Sequence, residues 1–360
     1  MAEWDRQYKA GEKPSGVTLK REFNENKYEL FPWLKGIHRD AHSQPFANLQ
    51  SAYKEFFSGK RKHPRLKKKG KCKFSFYVAN DKLKVDGTRV RLPVVGWVRM
   101  RESVRFSGKI MSATVSLVGD RWHVSFSVEG DFNRKRTSDG VIGIDVGLKT
   151  AVVTSDGRQF ECPKHLKRAM RKLRRRSRQH SRKQRGSKNR IKSRQKLARL
   201  HARVANQRRD WQHKTTTRLC RENQAIFVET LNVKGMLRNR KLSRALSDVG
   251  LSEILRQVEY KSALYGNLFG KVDRWFPSSK TCSDCGCIKE TLSLSERVYR
   301  CESCGLVMDR DLNAAINIRT VGLTGSYACG QEGSGSGRKT RTKPCLVEAG
   351  TERCTEMYTS

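Results

Sequence analysis

Four cysteines in the last third of the chain have the spacing of a metal site. Cys282 and Cys285 form one CxxC pair, Cys301 and Cys304 form a second, and fifteen residues separate the pairs. Two such pairs around a short hairpin are typical of a zinc ribbon, in which four thiolates hold Zn²⁺ tetrahedrally. We expect this zinc to be structural, because protein ligands would fill every position. An iron–sulfur cluster is the alternative, since four cysteines can bind either group. Cys287 is a spare thiol outside the CxxC spacing.

Three acidic residues form a second set of candidates. Asp145 interrupts the apolar stretch VIGIDVG, Glu229 ends the stretch AIFVE, and Asp311 opens DLNAAINI. A carboxylate at the end of a buried strand is costly to desolvate and is rarely placed there for stability. Brought together, three carboxylates can hold two Mg²⁺ ions about 4 Å apart. Such a pair of ions activates a water molecule and stabilises the leaving oxygen of a phosphodiester.

Each acid also has a purely structural explanation. Asp145 could end its strand at a turn, and Asp311 could be the N-cap of the helix that follows it. Asp309 competes for the third position. We favour Asp311 because the stretch DLNAAINI places it on the first helical turn, with apolar residues such as Leu312 packing behind it.

The order of elements around these acids predicts a ribonuclease-H-like nuclease core. The stretch VIGIDVGLKTAVVTSDGRQFEC indicates a three-stranded meander with Asp145 in its first strand. A buried strand that ends at Glu229 comes later, and the helical stretch LSEILRQVEYKSALYGNLFG follows it. The zinc ribbon and a terminal helix carrying Asp311 complete the core.

Positive charge is the strongest feature of the composition. The 360 residues contain 76 lysines and arginines against 35 aspartates and glutamates, a formal net charge of +41. Because such a charge repels itself in a compact protein, we expect a polyanionic partner, and nucleic acid is the leading candidate. A ribosomal or chromatin protein would share this charge, so charge alone identifies no activity.

Two stretches concentrate this charge. Lys60 to Gly70 contains no acid, and neither does the longer stretch from Cys162 to Arg209. In the longer stretch, apolar residues such as Leu200 and Val204 recur at helical spacing, and Gly186 interrupts the pattern. We therefore predict two basic amphipathic helices rather than the alternative, a disordered basic tail.

The chain is therefore predicted to be a multidomain α+β protein. Alternating residues in its second region predict a small antiparallel β-barrel or sandwich. The predicted parts, in chain order, are a helical region at 1–70, the barrel-like region at 71–135, a nuclease domain at 136–320 with a basic helical insertion at 163–222 and the zinc ribbon at 277–306, and a tail at 321–360.

The tail is rich in Gly, Ser and Thr, and we expect it to be mostly disordered, with no role for Cys329, Cys345 or Cys354. No apolar stretch approaches the ~18 residues of a membrane span. The amino-terminal segment lacks the apolar core of a secretory signal. We therefore predict a cytoplasmic, nucleoid-associated protein with reduced thiols and no membrane partner.

Three motifs carry a resemblance to a known family. GIDVGLKTAVVTSDG, VETLNVKGM and CGLVMDRDLNAAINI, with a zinc ribbon before the last, resemble the TnpB (OrfB) proteins of insertion sequences, which are relatives of type V CRISPR effectors. The segments FPWLKG, FANLQSAYKEFFSGKRKHPRLKKKG and TGSYACG are also similar to that family. The resemblance runs from Tyr28 to Gly330.

This resemblance implies a RuvC-like nuclease that binds a guide RNA copied from the transposon end and cuts both strands of a double-stranded DNA target. Asp145, Glu229 and Asp311 would bind the catalytic Mg²⁺, and the four cysteines would bind zinc. The barrel-like region would be the wedge domain. The amino-terminal helices would belong to a recognition region that, relative to the family, is expected to be truncated at its N-terminus.

Two other functions could use the same residues. A transposase could join DNA strands with the same carboxylates, and a zinc-ribbon regulator could occupy nucleic acid without cutting it. Copurified RNA would distinguish the guided nuclease from a plain transposase, which needs none. Loss of an acid would indicate the regulator, and all three acids are present.

Overall fold

A computed structural model describes residues 1–68, 72–293 and 295–325. They form a mixed α/β structure, as expected, that divides into two compact units. The first unit contains Met1–Asp131 and Arg175–Ala202, and the second contains Phe132–Arg174 and the chain from Arg203 onward. Most of the predicted tail, with its three cysteines, lies outside the described residues.

The amino-terminal region is helical, as predicted. It contains α1 (Ala2–Lys9), α2 (Gly16–Leu30), a 3₁₀ helix (Pro32–Gly36) and α3 (Arg39–Phe57). Trp4 and Tyr53 stack with ring centroids 4.5 Å apart, and Leu19 completes a small buried cluster with them. This cluster joins the three α-helices, because it takes one residue from each.

Six strands follow in the same unit, and of the two predicted forms, barrel or sandwich, the barrel is wrong, because the strands do not close into one among the described residues. They are β1 (Ser75–Ala79), β2 (Lys84–Asp86), β3 (Arg89–Leu92), β4 (Gly96–Arg99), β5 (Lys109–Val118) and β6 (Arg121–Glu129). Among the described residues they form two separate antiparallel sheets, ordered β1-β5-β6 and β2-β3-β4. Both sheets contribute to one apolar core that includes Val78, Val90 and Val115. Strands of three and four residues, such as β2 and β4, are too short to close a tilted barrel, so the edges stay open.

The acid-free stretch forms the two predicted basic helices, α4 (His165–Ser181) and α5 (Lys188–Arg221). The break between them contains Gly186, whose φ of 84° lies in the left-handed region that favours glycine. The part of this helix pair in the first unit is tied to the β5–β6 turn, where the Arg199 side chain donates a 2.8 Å hydrogen bond to Asp120.

A five-stranded sheet forms the centre of the second unit. Its strands are β7 (Gly140–Asp145), β8 (Val152–Thr154), β9 (Gln159–Phe160), β10 (Asn223–Glu229) and β11 (Leu268–Val272), in the spatial order β11-β10-β7-β8-β9. The β7-β8-β9 meander is antiparallel, as predicted, whereas β10 runs parallel to both β7 and β11. Strand β11 differs from the prediction, because the stretch predicted to be helical, LSEILRQVEYKSALYGNLFG, includes the first three residues of this strand.

Helices cover both faces of this sheet. After β10 come α6 (Val233–Met236), α7 (Ser243–Val249) and α8 (Leu251–Tyr265). The larger apolar cluster joins Ile144 of β7 and Ile226 of β10 to Ile254 of α8. On the other face, Phe227 packs against Ile318 of the last helix, α9 (Arg310–Leu323). The sheet is therefore the middle of three layers, and apolar packing on both of its faces stabilises it.

The second unit ends with a short hairpin joined directly to α9. Strands β12 (Val298–Arg300) and β13 (Val307–Asp309) pair antiparallel, and α9 begins at the residue after β13. Within the described ranges, no helix is both long and apolar enough to cross a lipid bilayer.

Candidate active site

Two of the three predicted acids lie side by side at one edge of the five-stranded sheet. Asp145 is the last residue of β7 and Glu229 is the last residue of β10. The strands are parallel, and Val228 pairs with Ile144 in the register, so the next residues of both strands leave the sheet at the same edge. The two carboxyl groups lie close enough together for each to affect the pKa of the other. We call this edge of the sheet the acid edge.

The third acid reaches the acid edge from α9. Asp309 is the N-cap of this helix, and its side chain accepts hydrogen bonds from the backbone N–H groups of Asp311 and Leu312 at 2.9 and 3.0 Å. Asp311 therefore does not serve as the cap. The carboxyl group of Asp311 lies close enough to Asp145 to raise the pKa of Asp145. The structure thus brings Asp145, Glu229 and Asp311 together and gives the competing Asp309 a capping role.

A glycine allows α9 to approach the sheet this closely. A Cβ atom at Gly143, two residues before Asp145, would clash with the carbonyl oxygen of Ala315 and the backbone nitrogen of Arg319. Ala315 is fully buried at this contact. The small residues in GIDVG and NAAINI therefore set the distance between β7 and the helix that carries Asp311.

Burial and mutual repulsion make this carboxylate cluster electrostatically strained. Burial raises the pKa of Asp145 well above its ordinary value, and the neighbouring charges of Glu229 and Asp311 raise it further. Burial also raises the pKa of Glu229. Burial and the neighbouring charges therefore favour the protonated form of the Asp145 carboxyl group. A bound cation would favour the charged form of both carboxyl groups and would so oppose these shifts.

Two arginines, which sequence reasoning missed, supply part of that charge. The side chain of Arg310 is 13% exposed and lies 3.3 Å from one carboxylate oxygen of Asp311. Arg297 lies 3.9 Å from the other oxygen. Arg310 also lowers the pKa of Asp145, against the larger effect of burial. For Arg310, the sequence signal was an arginine placed between two aspartates in MDRD.

The donor set suits Mg²⁺, which prefers carboxylate oxygens and binds through few protein ligands. Three carboxyl groups converge, and the pKa of Asp145 shows that their charges already interact. Among the described residues, these acids do not form a set whose ligand atoms all lie within 4.8 Å of one another. The guanidinium of Arg310 lies against this cluster instead. A cation held by all three acids would require the Arg310 side chain to move away from Asp311.

The four predicted cysteines do form such a set. Their sulfur atoms all lie within 4.8 Å of one another, and the Cys282–Cys304 and Cys285–Cys301 pairs are each 3.6 Å apart. Four sulfurs at the usual Zn–S distance of about 2.3 Å lie about 3.8 Å apart, so the cysteines fit zinc closely. Backbone N–H groups, that of Cys304 foremost, lower the pKa of the Cys301 thiol to about 6, whereas the pKa values of Cys285 and Cys304 are raised by the neighbouring thiols. A metal would displace the protons that remain on the four sulfurs.

Two asparagines on α9, also missed from the sequence, attach the cysteine segment to this helix. The Asn313 side chain donates to the Thr281 carbonyl at 2.7 Å and accepts from the Ser283 N–H at 3.0 Å. The Asn317 side chain donates to the carbonyls of Ser278 and Thr281 at 2.8 and 2.7 Å. Asparagine is disfavoured inside helices. Two buried asparagines four residues apart were therefore a usable signal for a tertiary contact.

Comparisons with known proteins place the chain in a family. The OrfB_IS605 family model, described as "Probable transposase", matches residues 123–240, and the "Cas12f1-like, TNB domain" model matches 252–318. Two relatives bear the name "Putative RNA-guided DNA endonuclease". The one from Streptomyces pristinaespiralis is 37% identical over 91% of this chain and 84% of its own length. The chain belongs to the TnpB family. InsQ of Escherichia coli K12 is 32% identical over 87% of this chain and 81% of its own length.

The two matched ranges of this TnpB-family chain contain all seven predicted site residues. Asp145 and Glu229 fall in the first range, and the four cysteines and Asp311 fall in the second. Among solved structures, the cryo-EM structure of the Cas12f1-sgRNA-target DNA complex superposes with a TM-score of 0.39 at 17% identity, covering 88% of each chain. That structural likeness is weak and adds nothing to the family assignment.

Proposed function

We propose that this chain is an RNA-guided DNA endonuclease that cuts phosphodiester bonds with Mg²⁺ held by Asp145, Glu229 and Asp311. The convergence of these three carboxylates at the acid edge is the observation that carries the proposal. Family membership supports it, because the chain matches most of the length of two relatives that are named as such enzymes.

The five-stranded sheet and α9 would form a ribonuclease-H-like, RuvC-like nuclease core. The sheet is an antiparallel meander extended by two parallel strands, and an acid ends both β7 and β10, the first and fourth strands of this sheet in chain order. This arrangement supports the assignment. In open sheets with parallel strands, sites form at the carboxyl ends of the strands. Asp145 and Glu229 occupy those ends, and α9 adds the third acid.

The chemistry would divide between the metal and the residues around it. When bound, Mg²⁺ would lower the pKa of a water molecule and neutralise the charge of the phosphodiester. Asp145 and Glu229 would hold the metal from the sheet as carboxylates, and the proton that the metal-free site favours on Asp145 would go to solvent. Asp311 would hold it from the helix. Arg310 would then be released from the cluster and would contact a phosphate oxygen or solvent.

The partners would be a guide RNA from the transposon end and a double-stranded DNA target. The net charge of +41 supports binding of long polyanions, and α4 and α5 carry no acidic residue before Asp210. We assign the two antiparallel sheets to a wedge-like domain and the amino-terminal helices to the recognition region. The protein would act in the prokaryotic cytoplasm at the nucleoid, where the target DNA lies.

The four cysteines would hold a structural zinc. Because all four coordination positions would be filled by thiolates, none would remain for water or substrate. The ribbon would instead act as a clasp, which we define as the contact of the cysteine segment 278–285 with Asn313 and Asn317 of α9. The clasp would determine where α9 begins and so where Asp311 lies.

The decisive experiment begins with the RNA that copurifies with the full chain. After that RNA is sequenced, a DNA duplex matching its guide segment is incubated with the complex and Mg²⁺. We expect both strands to be cut, and we expect Asp145→Ala, Glu229→Ala and Asp311→Ala each to reduce cutting to background.

Asp309→Ser is the matched control, because serine preserves the N-cap while removing the competing carboxylate. We expect this variant to cut. Wild-type activity in Asp145→Ala would refute the proposal, and joined rather than cut DNA ends would indicate a transposase instead.

A further inference from the structure

Trp275 is an exposed aromatic residue next to the acid edge. Its side chain is 80% exposed, more than any other tryptophan in the described ranges. It follows β11 by three residues, and Val272, the last residue of β11, pairs with Glu229. An extended chain advances at most about 3.6 Å per residue, so the Cα of Trp275 lies within about 11 Å of that of Val272. Adjacent strands are about 5 Å apart. The Cα of Trp275 therefore lies within about 16 Å of that of Glu229.

The turn that carries Trp275 is held in place on both sides. The Trp275 backbone N–H donates a 2.7 Å hydrogen bond to the Asp273 side chain. The next residue, Phe276, packs into the apolar cluster beneath α9, and the Ser278 carbonyl accepts a 2.8 Å hydrogen bond from Asn317. The exposure of Trp275 therefore follows from an anchored turn, in which its neighbour Phe276 is partly buried and the indole is left outside.

Arg274 complements the indole ring. Its guanidinium carbon lies 5.0 Å from the ring centroid, within the distance of a cation–π contact. A planar aromatic ring beside a guanidinium is the combination that binds single-stranded nucleic acid, in which bases stack on the ring and the cation interacts with a phosphate or a base. An exposed indole without such a ligand leaves a large apolar surface in water, at a cost in hydration free energy.

We propose that Trp275 and Arg274 form a stacking platform for an unpaired nucleobase of the DNA strand that is being cut. This inference rests on the proposed nuclease function and adds a substrate-positioning residue to it. Stacking on an aromatic ring is tolerant of base identity, because every base has a π face. Such tolerance suits an enzyme whose target sequence is chosen by base pairing with a guide rather than by the protein.

The test compares Trp275→Ala and Trp275→Tyr in the full RNA-bound chain. Leu268→Ala is the control, because Leu268 is 50% exposed on the same strand β11 but at its opposite end. The probe is a single-stranded DNA oligonucleotide with 2-aminopurine at successive positions, whose fluorescence falls when the base stacks on an aromatic ring. Ca²⁺ replaces Mg²⁺ in the binding measurement so that the probe stays intact, and cutting is then measured with Mg²⁺.

We expect quenching at one or two adjacent positions in the wild type, in Trp275→Tyr and in Leu268→Ala, and none in Trp275→Ala. The KM for DNA in Trp275→Ala should rise about 5- to 100-fold, the loss that corresponds to one stacked base, with a smaller change in kcat. Equal quenching in wild type and Trp275→Ala, or an unchanged KM, would overturn the stacking proposal.

The two proposals can fail separately. Cutting by Asp145→Ala would refute the nuclease assignment while leaving the quenching result intact. Absence of quenching in a wild-type complex that cuts DNA would refute only the stacking platform. Because quenching is measured without cutting, it decides the role of Trp275 even if the wild-type complex does not cut the chosen duplex.

Discussion

The most informative single substitution is Asn313→Ala, which breaks the clasp without touching a proposed metal ligand. Asn313 is fully buried, donates to the Thr281 carbonyl at 2.7 Å and accepts from the Ser283 N–H at 3.0 Å. The Thr281 carbonyl keeps its bond from Asn317, but the Ser283 N–H loses its partner. We expect the free energy of unfolding to fall by about 1–3 kcal/mol, since Ser283 is only partly buried and water can replace some of the loss.

The effect on cutting should be larger than this loss of stability implies. Asn313 lies two residues after Asp311 on the same helix, so the start of α9 would be less tightly held. A misplacement of about 1 Å in a catalytic group can cost about 100-fold in rate. We expect the single-turnover cutting rate to fall by about 10- to 100-fold, with the KM for DNA unchanged, because Asn313 is buried and cannot contact DNA.

The assay measures single-turnover cutting with Mg²⁺ well below the melting temperature, together with zinc content and thermal unfolding. Thr320→Ala is the matched control, because Thr320 is a polar residue of α9 whose hydroxyl donates to the Ile316 carbonyl of its own helix. Cys304→Ser, which removes a zinc ligand, should slow cutting in the same way. If both act through the clasp, the double variant should be no slower than the slower single variant.

Two results would refute this reasoning. One is a single-turnover cutting rate for Asn313→Ala that falls only in proportion to the fraction of the variant that is unfolded. The other is independence of the two substitutions, in which the rate losses of Asn313→Ala and Cys304→Ser multiply in the double variant. Full activity in a zinc-free Cys304→Ser protein would likewise exclude a positioning role for the ribbon.

Two further predictions concern the carboxylates and the helix that approaches them. The raised pKa of Asp145 means that the folded, metal-free protein binds more protons than the unfolded chain, so its stability should fall as pH rises above the ordinary value of 3.8. Thermal unfolding in EDTA should show a smaller fall in Tm for Asp145→Asn than for the wild type, and identical pH slopes would contradict the raised pKa. Gly143→Ala should lower the free energy of unfolding by about 1–3 kcal/mol, because its Cβ would push α9 off β7; unchanged denaturant midpoints would show that the helix can move without cost.

Local patterns in the sequence predicted much of this protein. The CxxC pairs, the apolar strand ending at Asp145 and the break at Gly186 are all signals within a few residues. Such signals depend on bonding geometry and side-chain periodicity, which do not require knowledge of distant partners. The basic helices and the β7-β8-β9 meander could be predicted for the same reason.

Polar residues buried on α8 illustrate what the local pattern could not show. The stretch LSEILRQVEYKSALYGNLFG predicts a helix, but not that Gln257, Lys261 and Ser262 are buried on it. The Lys261 ammonium group donates hydrogen bonds of 2.8 Å to the hydroxyls of Thr216 and Thr217, and burial lowers the pKa of this lysine to about 8. Whether a lysine can be buried depends on acceptors supplied by another helix, and a single segment does not reveal them.

By itself, then, the sequence determined which chemical groups are present: four thiols at zinc spacing, three acids at the ends of predicted elements, and a large excess of positive charge. Only the tertiary structure decided that Asp309 caps α9 while Asp311 lies near enough to Asp145 to raise its pKa, that six strands form two separate sheets, and that Arg310 lies beside Asp311. The reason is physical. Residue identity and periodicity are local, whereas strand pairing, close helix approach and ionisation depend on groups that are distant in the chain and adjacent only after folding.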